Sequence, residues 1–192
     1  MHKYQKECDD FLISQKVLPV CTFTEKDKAV ELARSLVQKG VLVMEIAYRN
    51  ENLYSDIDDC IREVKKQVPQ IRVGAATVTN PKIALRAKKS GADFLVSPGF
   101  NPKTVRWAKL RKMPFYPGVV TPSEIEVARQ YGFFLLKFFP AEASGGAVML
   151  KNLASPFPEV RFIVSGGINE QNEEAYRALS NVSVISGTYL SK

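Results

Sequence analysis

The sequence holds 192 residues with a net charge of +7, a length that fits one domain with its own core and a charge that suits an anionic partner. Three widely spaced cysteines, Cys8, Cys21 and Cys60, make neither a disulfide framework nor a zinc site, and the lone histidine, His2, sits at the N-terminus, which excludes a Ser-His-Asp triad, a Cys-His dyad and a His-rich metal centre. No apolar run is long enough to span a bilayer and the polar opening, Met1 to Asp10, lacks a signal-peptide core, so the expectation is a cytoplasmic protein without membrane attachment.

The opening segment predicts a helix with Tyr4, Cys8, Phe11 and Leu12 on one side. A strand begins near Val17. Thr24 is the expected cap of a helix carrying Ala29, Leu32, Ala33 and Leu36 on one face and stopped by Gly40. A second strand begins near Val41, followed by a helix marked by Leu53, Ile57, Ile61 and Val64 that ends before Pro69. Strands near Ile71, Asp93 and Pro114 are each followed by a capping side chain and a proline: Asn80-Pro81, Asn101-Pro102 and Thr121-Pro122. Thr121 and Glu124 have the spacing of a capping box. A strand near Phe134, a helix from Ser144 to Ala154, a strand near Val160, a helix from Glu170 to Leu179 and a strand near Val182 complete the chain.

Eight strands alternating with helices, at a spacing of roughly 20 to 30 residues, predict a parallel sheet. No G-x-G-x-x-G or P-loop follows the first strand, and eight strands favour closure, so the expected fold is a (β/α)8 TIM barrel in one domain over residues 1–192. The sequence stops at Lys192, which leaves no room for an eighth helix, while the opening helix can cover the barrel bottom. The basic clusters Arg86-Ala87-Lys88-Lys89 and Lys109-Leu110-Arg111-Lys112 fall late in predicted helices, where cations suit the helix dipole and face solvent. No nucleic-acid-binding signature accompanies them, so no nucleic-acid partner is expected.

Lys137 stands out. In Phe133-Phe134-Leu135-Leu136-Lys137-Phe138-Phe139-Pro140, alternation puts Leu135, Lys137 and Phe139 on one face and Phe134, Leu136 and Phe138 on the other. An ammonium among such neighbours loses hydration, which favours the neutral, nucleophilic amine able to form a Schiff base with a carbonyl. The bland alternative is a strand-end lysine that snorkels to water.

Chemistry in barrels sits at the C-terminal ends of the strands. Those ends read Glu45-Ile46-Ala47-Tyr48-Arg49, Gly74-Ala75-Ala76-Thr77-Val78, Ser97-Pro98-Gly99, Pro117-Gly118-Val119, Lys137, Ser165-Gly166-Gly167-Ile168 and Ser186-Gly187-Thr188. Glu45 lies within an apolar run, where a carboxylate is costly to bury without a purpose or a salt-bridge partner. Arg49 alone reads equally as a surface cation, and Thr77 as a strand-end cap. Glycine turns after the last two strands offer backbone N–H groups of the kind that bind phosphate in barrels.

Together these residues resemble the 2-keto-3-deoxy-6-phosphogluconate (KDPG) and 4-hydroxy-2-oxoglutarate (KHG) aldolase family, from Val17-Leu18-Pro19-Val20 to Gly187-Thr188-Tyr189-Leu190. The resemblance implies a class I aldolase on a (β/α)8 barrel that needs no metal or other cofactor, acts on a small anionic, phosphorylated keto acid and assembles as a homotrimer. It assigns Lys137 as the Schiff-base lysine and Glu45 as the general acid/base. Arg49 and Thr77 match the residues that hold the pyruvyl carboxylate, Pro98 lies in a matching strand end, and Phe139 resembles the aromatic beside the site. Gly166, Gly167, Gly187 and Thr188 fall where the family holds phosphate. Sister specificities for KHG or 2-keto-3-deoxy-6-phosphogalactonate stay open, as does a barrel that keeps the pocket but has lost turnover.

The match has departures. Ala47 stands where Thr is usual, Ala76 replaces a Gly, Thr188 replaces Ser, and Ser186 replaces a Gly at the phosphate turn. The expected consequences are a narrower pocket and, without the family's terminal helix, a barrel stabilised by trimer formation.

Overall fold

The computed structural model describes residues 2–22 and 24–191. After α1 (Lys3–Gln15), strands and helices alternate in the order β1 (Val17–Cys21), α2 (Lys26–Gln38), β2 (Val43–Ala47), α3 (Tyr54–Gln67), β3 (Arg72–Ala76), α4 (Pro81–Lys89), β4 (Phe94–Val96), α5 (Pro102–Leu110), β5 (Phe115–Tyr116), β6 (Gly118–Val119), α6 (Pro122–Gln130), β7 (Leu135–Phe138), α7 (Gly146–Ala154), β8 (Arg161–Ser165), α8 (Glu173–Arg177) and β9 (Val182–Gly187). Every pairing is parallel, in the order β5-β4-β3-β2-β1-β9-β8-β7-β6.

Nine strands appear where eight are expected because Pro117 splits the fifth stave. Proline has no N–H to give to the ladder, so β5 pairs backward with β4 while β6 pairs onward with β7. The Pro117 carbonyl still accepts from the Lys137 N–H at 2.9 Å. The two ends of the strand order are thus adjacent in the chain, and the barrel closes through that residue.

The proline-marked helix starts form as expected. Asn80 accepts from the N–H groups of Lys82 and Ile83 at 2.9 and 3.1 Å, and Asn101 accepts from those of Lys103 and Thr104 at 2.9 and 3.3 Å. Thr121 and Glu124 make the full reciprocal box. Two helices start later than predicted. Asn172 accepts from the Asn169 N–H and Asn169 from the Gln171 N–H, both at 2.9 Å. These bonds hold Asn169 to Asn172 as a capped turn that leads into α8. Gly145, at φ 96°, separates a 3₁₀ turn (Glu142–Ser144) from α7. Glu25, not Thr24, is the cap residue of α2, with its carboxylate bound to Lys28 at 2.8 Å and to the Thr24 N–H at 3.3 Å.

Helix α1 does close the barrel at the end where the strands begin. Cys8 and Leu12 pack with Leu18, Val43, Phe94, Tyr116, Leu135, Ile163 and Val184. Tyr4 and Phe11 stay at the margin, half-buried, while two polar residues go inside instead. Gln5 donates to Asp9 at 2.8 Å and accepts from the Phe115 N–H at 3.0 Å. Burial pushes the Asp9 carboxyl up to about 6, against the opposing hydrogen bond from Gln5. Among the described residues a 3₁₀ turn (Thr188–Ser191) follows β9, and its Ser191 hydroxyl donates to the Val20 carbonyl at 2.9 Å. No helix of the described residues is long and apolar enough to cross a membrane.

Candidate active site

Strand alternation decides which side chains enter the barrel. On β2 it sends Glu45 inward, level with Val20 of β1 and Gly74 of β3. Gly74 has to be glycine: a Cβ there would stand 2.3 Å from the Phe94 ring, which fills the space below. On β7 the same alternation sends Lys137 inward, between Gly118 and Ile163. Glu45 is 0% and Lys137 7% exposed. Lys137 Nζ lies 3.6 Å from Glu45 Oε1 and 5.2 Å from the centre of the Phe139 ring. The lysine therefore does not snorkel to bulk water. Its nearest charged neighbour is a carboxylate from across the barrel, which a local reading of its own strand could not supply.

Burial raises the Glu45 carboxyl above its ordinary range; Lys137, then Ser186 and Arg49, oppose that shift by favouring the ionised form. Oε1 carries both local contacts, to Lys137 at 3.6 Å and from the Ser186 hydroxyl at 3.4 Å. Oε2 is buried and has no hydrogen-bond partner. A carboxyl raised in this way, with one oxygen held and one free, can both take and return a proton.

A cavity of ≈ 540 Å³ opens over this pair at the C-terminal ends of the strands, and all ten residues singled out from the sequence line it. Arg49 and Thr77 stand on the wall formed by the ends of β2 and β3, with Pro98 beyond β4. Thr77 has φ 62°, a left-handed conformation that is a genuine outlier for a β-branched residue. Its neighbours pin it there, since the Ala76 carbonyl accepts from the Tyr48 N–H and the Val78 N–H donates to Val96, each at 3.0 Å. Tyr48 itself turns outward and donates to Asp58 at 2.6 Å, and Asp58 pairs with Arg86. The backbone that carries Arg49 is thereby tied to α3 and α4, while the Arg49 side chain stays exposed.

Gly166, Gly167, Gly187 and Thr188 form the opposite rim. Gly166 and Gly167 have φ 98° and 83°, and a Cβ on Gly167 would meet the Glu142 side chain at 2.6 Å. Tyrosine hydroxyls brace this rim: Tyr176 donates to Glu142 and Tyr189 to Glu173. The Phe139–Pro140 peptide beside it is cis.

The ten do not complete the lining, and the sequence reading misplaced one residue. Val20, Ala47 and Ala76 make a small apolar patch on the cavity wall, and Ser165 and Ile168 also line it. Ser186, expected at the phosphate turn, points into the barrel instead and is 0% exposed. Alternation along β9 contains the signal, because it puts Ser186 on the same side as buried Val184. Among the described residues no three His, Cys, Asp or Glu side chains gather as a metal site would require. The arrangement offers an amine, a buried carboxyl beside it, a guanidinium that suits an anionic end and a glycine-rich rim.

The family description "KDPG and KHG aldolase" matches residues 8–192. The KHG/KDPG aldolase of Escherichia coli strain K12 is 37% identical over 190 residues, spanning 99% of this chain and 87% of that protein. Among solved structures, the KDPG aldolase of Legionella pneumophila, with pyruvate captured at low pH as a covalent carbinolamine intermediate, matches with a TM-score of 0.84 at 33% identity, over 91% of this chain and 82% of that one. The 2-keto-3-deoxy-6-phosphogluconate aldolase of Zymomonas mobilis ZM4 with 3-phosphoglycerate matches with a TM-score of 0.87 at 31% identity, over 96% and 86% respectively.

Proposed function

Because the chain belongs to the KDPG and KHG aldolase family, we propose that it is a class I aldolase that splits KDPG into pyruvate and glyceraldehyde 3-phosphate. The observation that carries this reading is the approach of Lys137 Nζ to Glu45 Oε1, 3.6 Å, at the base of the cavity. Lys137 adds to the C2 carbonyl, and loss of water leaves an iminium. Glu45 takes the proton of the C4 hydroxyl, directly or through a water, as the C3–C4 bond breaks. The bonding electrons flow into the iminium and give an enamine, so no free carbanion forms. Glu45 returns a proton to C3, and hydrolysis of the imine releases pyruvate.

Arg49 holds the substrate carboxylate with help from the Thr77 hydroxyl, orienting the ketone toward the amine. Phe139 and Pro98 pack beside the carbon chain. The N–H groups around Gly166, Gly167 and Gly187, with the Thr188 hydroxyl, receive the phosphate. On that reading inorganic phosphate competes with KDPG and leaves KHG cleavage untouched; equal inhibition of both would mean that the rim is only structural. The resemblance also supports a homotrimer, which sedimentation of the purified protein tests and a stable monomer refutes.

Borohydride reduction in the presence of pyruvate tests the reaction type. One reduced adduct should appear, located at Lys137 by mass spectrometry, and the same preparation should release pyruvate from KDPG faster than from KHG. An adduct on another lysine, or none, overturns the assignment. Faster release from KHG would keep the chemistry and change the substrate.

A further inference from the structure

Once Lys137 carries substrate as an imine, its nitrogen is bonded to C2 and its contact with Glu45 Oε1 is no longer available in the same form. That is the stage at which Glu45 must exchange protons. A buried carboxylate that loses one of its few partners is free to turn away from the reacting carbon. The groups that face Glu45 are Lys137 from β7, Arg49 from the segment after β2, and Ser186 from β9. Arg49 is exposed and lies where it can take the substrate carboxylate. Ser186 is fully buried and has no other assigned part in the reaction. Its hydroxyl reaches the same oxygen as Lys137, Oε1, at 3.4 Å, while Oε2 has no partner. That separation is looser than an ordinary hydroxyl–carboxylate bond of about 2.5–3.0 Å, and such contacts often tighten only in the reacting complex.

We propose that Ser186 is a positioning residue that holds Glu45 by Oε1 while Lys137 is engaged as the imine, leaving Oε2 as the oxygen that carries the substrate proton. The inference rests on the reading of Glu45 as the acid/base. It assigns a division of labour within one carboxyl group: one oxygen anchored from β9, the other kept free for chemistry. Ser186 sits on a strand rather than a loop, level with Leu18 of β1 and Ser165 of β8, so its hydroxyl is a fixed anchor.

Ser186→Ala and Ser186→Thr test this, read by exchange of the pyruvate methyl protons in deuterated water and by borohydride trapping. Ser186→Ala should leave trapping within about twofold of the parent protein. It should slow exchange by roughly 5- to 10-fold, the scale of an ordinary hydrogen bond, since the contact is long. Removing a donor that favours the ionised carboxylate should also move the rising limb of the exchange–pH profile to higher pH. Ser186→Thr, which keeps the hydroxyl, should restore the parent profile. In a Glu45→Gln background, Ser186→Ala should add nothing further. Parent-like exchange and pH profile in Ser186→Ala, with Glu45→Gln still impaired, would overturn the inference alone. Parent-like exchange in Glu45→Gln would overturn the reading of Glu45 and this inference with it. Melting of each variant identifies any loss that comes from unfolding, and Ser186→Gly then serves as the second variant without the hydroxyl.

Discussion

The two ends of the barrel interior bury polar groups in opposite ways. Where the strands begin, Asp9 lies against Gln5, which also satisfies the Phe115 N–H, and Cys8, Leu12 and a ring of large apolar side chains fill the rest. Where the strands end, Glu45 and Lys137 face each other at 3.6 Å beneath an open cavity, and one oxygen of Glu45 is left without a partner. Burial raises both carboxyls. At the closed end that raised carboxyl is only a cost, tolerated because α1 seals the barrel. At the open end the same desolvation acts on a carboxyl that lines the cavity, which is what the proposed proton transfer requires. Low dielectric alone does not make a site; a buried titratable group beside an entrance does.

The sharpest way to break this contrast is at Lys137. Lys137→Arg keeps the positive charge but cannot form an imine. Pyruvate release from KDPG should fall by roughly a thousandfold or more, in keeping with loss of a covalent nucleophile, while far-ultraviolet circular dichroism stays that of the parent. Glu45→Gln comes next. It keeps the shape and removes the base, so methyl-proton exchange should slow by roughly 100-fold or more with borohydride trapping retained. Retained exchange would reduce Glu45 to an ion-pair partner of the lysine. Arg49→Ala should weaken pyruvate binding by about tenfold, the loss of a charge-assisted pair; an unchanged affinity, measured by the pyruvate dependence of trapping, would put the carboxylate elsewhere.

Asp9→Asn probes the closed end and should leave turnover alone. Its effect is on stability. The Asp9 carboxyl rises from its ordinary 3.8 to about 6 in the folded chain. Between those values the folded state keeps a proton that the unfolded state releases. This group's contribution therefore falls as pH rises through that window and stays low above it. Asp9→Asn should match the parent near pH 4 and be more stable near pH 7, by on the order of 2 kcal/mol in denaturant melts. A difference that does not vary with pH would assign Asp9 a purely steric role.

The barrel and most of its chemistry were legible in the sequence because they rest on local rules. Asn80, Asn101 and Thr121 announce their helices through a capping side chain followed by proline, and the structure places those helices there. The ten site residues converge because barrel strands all deliver their ends to one face. What the sequence hid depends on contacts between distant segments. Gln5 and Asp9 read as polar surface on α1 until a barrel is placed beneath them. The split at Pro117 depends on which neighbours β5 and β6 choose. Ser186 was read as part of a turn by analogy, although alternation along its own strand pointed it inward. The late start of α8 follows a turn held by Asn169 and Asn172, whose spacing reads equally as a helix cap.

The break at Pro117 also bears on what holds Lys137 in place. Strand β7 pairs with β8 along its whole length, from Leu135 to Phe138, but with β6 only at Lys137 and Phe138. The amine is mounted like a cantilever, fixed along β8 and lightly braced on the other side. Altered side-chain volume at Ile163, the β8 partner of Lys137, should therefore shift the height of the amine and the rate of pyruvate trapping. A disturbance at Val119, which pairs beyond the lysine on the shorter side, should change trapping less, and if the two changed trapping alike the mounting would be symmetric after all. The Pro117 carbonyl still bonds the Lys137 N–H at 2.9 Å, so the interrupted stave grips the lysine at its own level and leaves Leu135 and Leu136 anchored through β8.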